Sequence, residues 1–319
     1  LDLNAASGIS QGGGSLVAGT LLSSLGVTGN VVLTGSSNAI GSLGGFAVSS
    51  GDLSLRDAVA LDVTGAVVAT NVALTDTAGG TALTVSGSVS GTGIVGLTAT
   101  AGSLALNGVE NAGAGTLDLN AASGISQGGG SLVAGTLLSS LGVTGNVTLN
   151  SGSNLIAEVA TFHVASGDFL LTDASAVTFS TSVNAQRISV TDTAAGTAIT
   201  LNGAMGATTS LALNASAGGI TQAGSATITT PLLLSGGAGG AVDLAGTANA
   251  IDAIGAFSVL AGDFHLVDAA ALTVNGPLQV QAGNAVISDT AAGTAIAVAG
   301  SIAASGTVSL TAGHGVLVN

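Results

Sequence analysis

Residues Leu1 to Val31 read LDLNAASGISQGGGSLVAGTLLSSLGVTGNV, and the same string returns without a change from Leu117 to Val147. Repetition on that scale marks an array of similar structural units. Outward from this string the repetition continues. Gly51-Asp52-Leu53-Ser54-Leu55-Arg56-Asp57-Ala58 returns as Gly167-Asp168-Phe169-Leu170-Leu171-Thr172-Asp173-Ala174, and again as Gly262-Asp263-Phe264-His265-Leu266-Val267-Asp268-Ala269. Thr75-Asp76-Thr77-Ala78-Gly79-Gly80-Thr81-Ala82 likewise returns at 191–198 and, from Ser288-Asp289-Thr290-Ala291, at 288–295. Three long copies follow, spanning 1–116, 117–210 and 211–319.

Within each copy the grain is finer. Val31-Val32-Leu33, Phe46-Ala47-Val48, Leu53-Ser54-Leu55, Leu61-Asp62-Val63, Val72-Ala73-Leu74 and Leu83-Thr84-Val85 place apolar residues two apart. That is the period of a strand with one buried face. Gly, Ser, Asn, Asp and Thr, which create or tolerate turns, separate these segments. Frequent Gly and β-branched residues disfavour helix. Coils of roughly 20 residues, each with three short strands, predict an all-β parallel β-helix, a β-solenoid, running through 1–319 as one continuous array. A β-sandwich array would need longer strands and clearer hairpin turns. Phe46, Phe162 and Phe257 correspond across the copies, as do Leu53, Phe169 and Phe264, and all six belong in the core.

Composition narrows the function. The chain has 52 Gly and 47% hydrophobic residues, but only 6% charged residues and 2% aromatics. Its two cations, Arg56 and Arg187, stand against 16 acids, for a net charge of −14. Such a surface neutralises no phosphate backbone, so nucleic acid is excluded as a partner. A polybasic membrane patch fails for the same reason. No apolar run reaches the ~20 residues of a membrane span. With no cysteine there is no disulfide, thiolate metal site or thiol nucleophile.

The order of motifs carries a family resemblance. Gly8-Ile9-Ser10-Gln11, Ala18-Gly19-Thr20-Leu21, Asn38-Ala39-Ile40, Gly44-Gly45-Phe46, Gly51 to Ala58 and Leu61-Asp62-Val63-Thr64-Gly65 follow one another in the first copy. This order resembles the repeat region of filamentous-haemagglutinin-like and related β-strand-repeat surface proteins, the large secreted adhesins of Gram-negative bacteria. The resemblance covers essentially the whole chain. It implies a right-handed β-helix, secreted across the outer membrane and acting at the cell surface in adhesion, aggregation or biofilm. Asn4-Ala5-Ala6-Ser7-Gly8-Ile9 does not match the Asn-Pro-Asn-Gly-Ile motif of the family's secretion domain, so the expectation is a stretch of shaft from a longer array.

Candidate chemistry rests on aspartate. Asp52 and Asp57, Asp168 and Asp173, and Asp263 and Asp268 flank one strand in each copy, with Asp76, Asp192 and Asp289 as a further set. Oxygen ligands stacked at corners could hold Ca²⁺; the simpler reading is that each Asp caps its turn through nearby backbone N–H groups. The calcium β-roll signature Gly-Gly-x-Gly-x-Asp is not met, since Asp243 arrives two residues late after Gly236-Gly237-Ala238-Gly239. No catalytic or cofactor-binding constellation emerges, and an enzyme is not expected. His163, His265 and His314 are scattered at outward positions, and Arg56 beside Asp57 reads as a surface ion pair. Without Trp or Tyr there is little for a sugar ring to stack on. The Thr-x-Thr segments are not spaced coil by coil, which disfavours an ice-binding rank. The expected function is a structural or adhesive shaft of a surface fibre. The alternative is a self-assembling filament, sheath or surface-layer subunit. Expected partners are further repeats or neighbouring copies, and host receptors, cell-surface receptors or matrix.

Overall fold

The computed structural model describes residues 1–291 and 295–319. The third return of the Thr75–Ala82 motif is therefore seen through Ala291, and its continuation over 292–294 lies outside the described residues. Those residues form 37 strands and no helix, and hence no helix able to cross a membrane. They divide into two units: Leu1–Glu158 with Val164–Ser166, and Val159–His163 with Gly167–Asn319.

The first unit is a parallel β-solenoid with three columns of inward side chains. One column runs Ile9, Val31, Leu53, Val72, Val95, Leu117 and Leu137, each paired in register with the next. A second runs Leu61, Leu83, Leu104, Ile125 and Val147. The third runs Phe46, Val67, Val89, Glu110 and Leu132. A turn takes about 22 residues, slightly more than the spacing of sequence motifs suggests. Period-two alternation makes the columns: Leu53, Leu55 and Asp57 are buried while Ser54 and Arg56 face outward. Small groups fill one outward row, Ser54, Ala73 and Gly96, which stack in register.

The second unit repeats this construction. Its columns include Phe162, Val183, Met205 and Ile228, and Phe169, Ile188, Leu211 and Leu233. The third is Val177, Ile199, Ile220, Val242, Phe264 and Ala285. The six positions expected in the core are there: Phe46, Phe162, Phe169, Phe257, Phe264 and Leu53 are all fully buried. Phe162 packs on Phe169 with ring centroids 5.0 Å apart, and Phe257 on Phe264 at 5.1 Å. Such tilted contacts add to the area buried.

Two details depart from expectation. Some strands pass through a corner without losing their pairing, as in Val72–Val85 and Ile94–Leu106, with register shifts at the bend. Gly80, at φ +75, supplies the left-handed residue there. More consequentially, the sequence repeat is out of phase with the coil. Five coils carry Ile9 to Leu117, whereas the sequence copy of Ile9 is Ile125, which belongs to the next column. Two identical segments of the first unit thus occupy different faces. In the second unit, Phe169 and its counterpart Phe264 also stand in different columns.

Candidate functional site

The polar side chains gather at the corners, where backbone N–H and C=O groups leave the ladder and need partners. The most regular corner is an amide clasp between Gln and Asn. Gln11 Nε2 donates to Asn38 Oδ1 at 2.8 Å, and Asn38 Nδ2 returns a bond to Gln11 Oε1 at 3.0 Å. Gln127 with Asn154 gives 2.8 and 3.0 Å, and Gln222 with Asn249 gives 2.7 and 3.0 Å. The remaining lone pairs take backbone donors: Leu16, Leu132 and Ile228 donate to the Asn oxygen. Gly35, Ser151 and Gly246 donate to the Gln oxygen. The Gly-Ile-x-Gln and Asn-x-Ile motifs are therefore the two halves of one fastener, joined across coils. Sequence reading found both halves and not their union, because 27 residues separate them in the chain.

Aspartates occupy the neighbouring corners in two roles. Asp57, Asp173 and Asp268 are fully buried, as are Asp76 and Asp192, with Asp289 nearly so. Asp57 accepts from Val59 N–H two residues on, and from Ile40 N–H on the adjacent coil at 2.9 Å. Asp268 does the same with Ala270 and Ile251, both at 3.0 Å. Asp76 accepts from Ala78 at 2.6 Å and Leu61 at 3.0 Å. Asp173 accepts both the N–H and the hydroxyl of Ser175. These acids stack in register as Asp57 over Asp76, Asp173 over Asp192, and Asp268 over Asp289. Burial first, and the stacked neighbour's charge in lesser degree, push Asp76, Asp192 and Asp268 up to about 6, while backbone N–H donors pull the other way.

Asp52, Asp168 and Asp263 lie nearer solvent and tie a coil to the next. Asp52 accepts from the backbone and side-chain N–H of Asn71, and Asp263 from those of Asn284. Arg187 fills the same slot against Asp168, with a backbone bond at 3.2 Å and an ion pair at 3.7 Å. The two acids that flank each strand are not brought together: Asp52 and Asp57 sit at opposite ends of it, on the order of 15 Å apart at strand rise. Among the described residues no three His, Asp or Glu side chains converge as metal ligands would. Turn capping by aspartate was legible in the sequence; the second donor from the adjacent coil was not.

Other expectations resolve simply. Arg56 and Asp57 do not form a surface ion pair, because consecutive strand residues point to opposite faces and Asp57 turns inward. His163 and His314 are exposed, and His265 Nδ1 lies 2.8 Å from Asp243 Oδ1 on the adjacent coil. Two shallow depressions open to solvent, one lined by Ser103, Ser123, Ser126, Asn146 and Thr148, the other by Gln279, Gln281 and Ser305. Neither holds an ionisable group. Sequence reading missed Glu110, a fully buried acid with no hydrogen-bond partner on either oxygen. Alignment on the corner glycines could have found it: two residues after Gly65, Gly87, Gly108 and Gly130 come Val67, Val89, Glu110 and Leu132. No family model, curated protein or solved structure matches the chain.

Proposed function

We propose that the chain is a stretch of shaft in a secreted bacterial surface fibre of the filamentous-haemagglutinin-like kind. Its work there is to hold length and present a surface in adhesion, aggregation or biofilm. The observation that carries this reading is the use to which the polar residues are put. Gln11–Asn38 and Gln222–Asn249, and the corner aspartates beside them, are spent on fastening one coil to the next. Three of the motifs that carry the family resemblance, Gly8 to Gln11, Asn38 to Ile40 and Gly51 to Ala58, supply the side chains of these fasteners. A chain with two arginines against 16 acids further favours partners other than nucleic acid.

Electron microscopy of the native material tests the reading. Separate rods that project from the cell surface are expected, together with loss of cell–cell or cell–matrix attachment when the repeat is deleted. Regular lateral or axial order in place of separate rods would instead establish an assembling sheath or layer. We read the six flanking aspartates as fasteners, not calcium ligands. Thermal unfolding with chelator and with added calcium is expected to coincide, and a calcium-dependent rise in Tm would overturn that assignment.

A further inference from the structure

Glu110 is the only fully buried side chain of the three-residue strand Val109–Asn111, since Val109 faces solvent and Asn111 is half-buried. Its column places Val89 on one side and Leu132 on the other, with Val67 and Phe46 beyond. Three strands pack against it: Ser88–Gly91, Ile94–Leu106 and Ser131–Leu138. None of them carries an ionisable residue, so no cation answers the carboxyl and no second acid shares its proton. Both oxygens are shut away from water and unpartnered. An uncompensated carboxylate in such a place is too costly to keep.

We propose that Glu110 is a proton-operated latch on this strand: as the neutral acid it lets Val109–Asn111 dock in the apolar column, and as the carboxylate it drives the strand out. Burial pushes its pKa up to about 8, opposed only by its own backbone N–H. Undocked, the carboxyl regains the ordinary value of 4.5. Closed and open strands therefore differ in protonation between those two values, and each pH unit in that window favours the open form about tenfold. Below the window both forms are neutral, and above it both are charged, so the dependence flattens at each end. The strand is suited to leave, because only three residues pair on each side. A turn with Gly113 at φ +57 follows it directly.

Hydrogen exchange on the full chain, corrected for the intrinsic pH dependence of the chemistry, tests the latch. Protection at 109–111 and at the register partners 88–90 and 131–133 is expected to fall about tenfold per pH unit from pH 5 to 8. In Glu110→Leu and Glu110→Gln the corrected protection of these amides is expected to stay level across that range. The leucine variant keeps the test readable where the glutamine one fails to fold, since Leu132 already fills the same column. Level protection in the natural chain, or an equal slope in Glu110→Leu, would overturn the proposal.

Discussion

At Gly108, one missing methyl group decides whether two coils can stack. A Cβ there would lie 1.8 Å from the carbonyl oxygen of Gly87 on the coil below, and a Cβ on Gly87 would lie 2.3 Å from that of Gly65. Backbone cannot give way as a flexible side chain can, so Gly108→Ala must push coils apart. A loss of at least ~2 kcal/mol is expected, seen as a Tm lower by several degrees. Gly12→Ala, with open space around the added carbon, should leave Tm where it is. The amide clasp gives a second residue-level test. Asn249→Ala leaves the Ile228 N–H unpaired, at about 1–3 kcal/mol for a buried group, and takes two bonds from Gln222, whose amide keeps Gly246 N–H and Ala226 C=O. The double variant Gln222→Ala/Asn249→Ala should then lose less than the sum of the two single losses, as a thermal or denaturant double-mutant cycle would read. That glycine, asparagine and aspartate make corners was plain from their chemistry. Why a given corner accepts only glycine was not, because the colliding atom belongs to a coil about 22 residues away.

At the scale of the strand, the stacked aspartates make the fold respond to acid. Asp57, Asp173, Asp192, Asp268 and Asp289 each end a strand, and Asp76 lies within Val72–Val85 where that strand rounds its corner, with the carboxyls buried where their backbone donors are. Asp76, Asp192 and Asp268 stand at about 6 in the folded chain against an ordinary 3.8, and Asp57 is raised in the same direction by burial. A carboxyl whose pKa is raised on folding binds its proton more tightly in the folded state. Stability therefore rises as pH falls through about 6 toward 4, and the full cost is carried above pH 6. Thermal unfolding is expected to give a Tm several degrees higher at pH 4.5 than at pH 7.5. Asp268→Asn, which cannot titrate, should show a shallower pH slope whatever its absolute Tm. A Tm that falls steadily from pH 7.5 to 4.5 would mean that the N–H donors outweigh burial. The strands themselves were readable from period-two alternation. Their acidic ends were readable only as turn caps, since stacking depends on register between coils.

Across a whole unit, the mismatch between sequence repeat and coil shows what the fold requires. Leu1–Val31 and Leu117–Val147 are identical, yet the first unit holds Ile9 and Ile125 in different columns. One segment thus fits more than one face, so the faces share strand length, inward alternation and corner geometry. Sequence self-similarity revealed the repeats and the solenoid. It could not reveal the phase, because matching residues to one another says nothing of how many strands lie between them. What must be conserved is the order of strand and corner, not the identity of the face. Excision shows the difference. Ser88 pairs with Val109, and Val89 with Glu110, so removing 88–108 joins Gly87 to a strand that already fits the vacated place. Leu117 then falls beside Val72, and Ile125 beside Leu83, restoring apolar columns. The shortened chain is expected to keep a β-type circular dichroism spectrum and a single cooperative thermal transition. Removing 88–98 instead brings the corner Ala99–Gly102 to where a strand must pair, and that chain should lose cooperativity and aggregate through its unpaired edges. If both excisions behave alike, strand order is not what holds the coils in register.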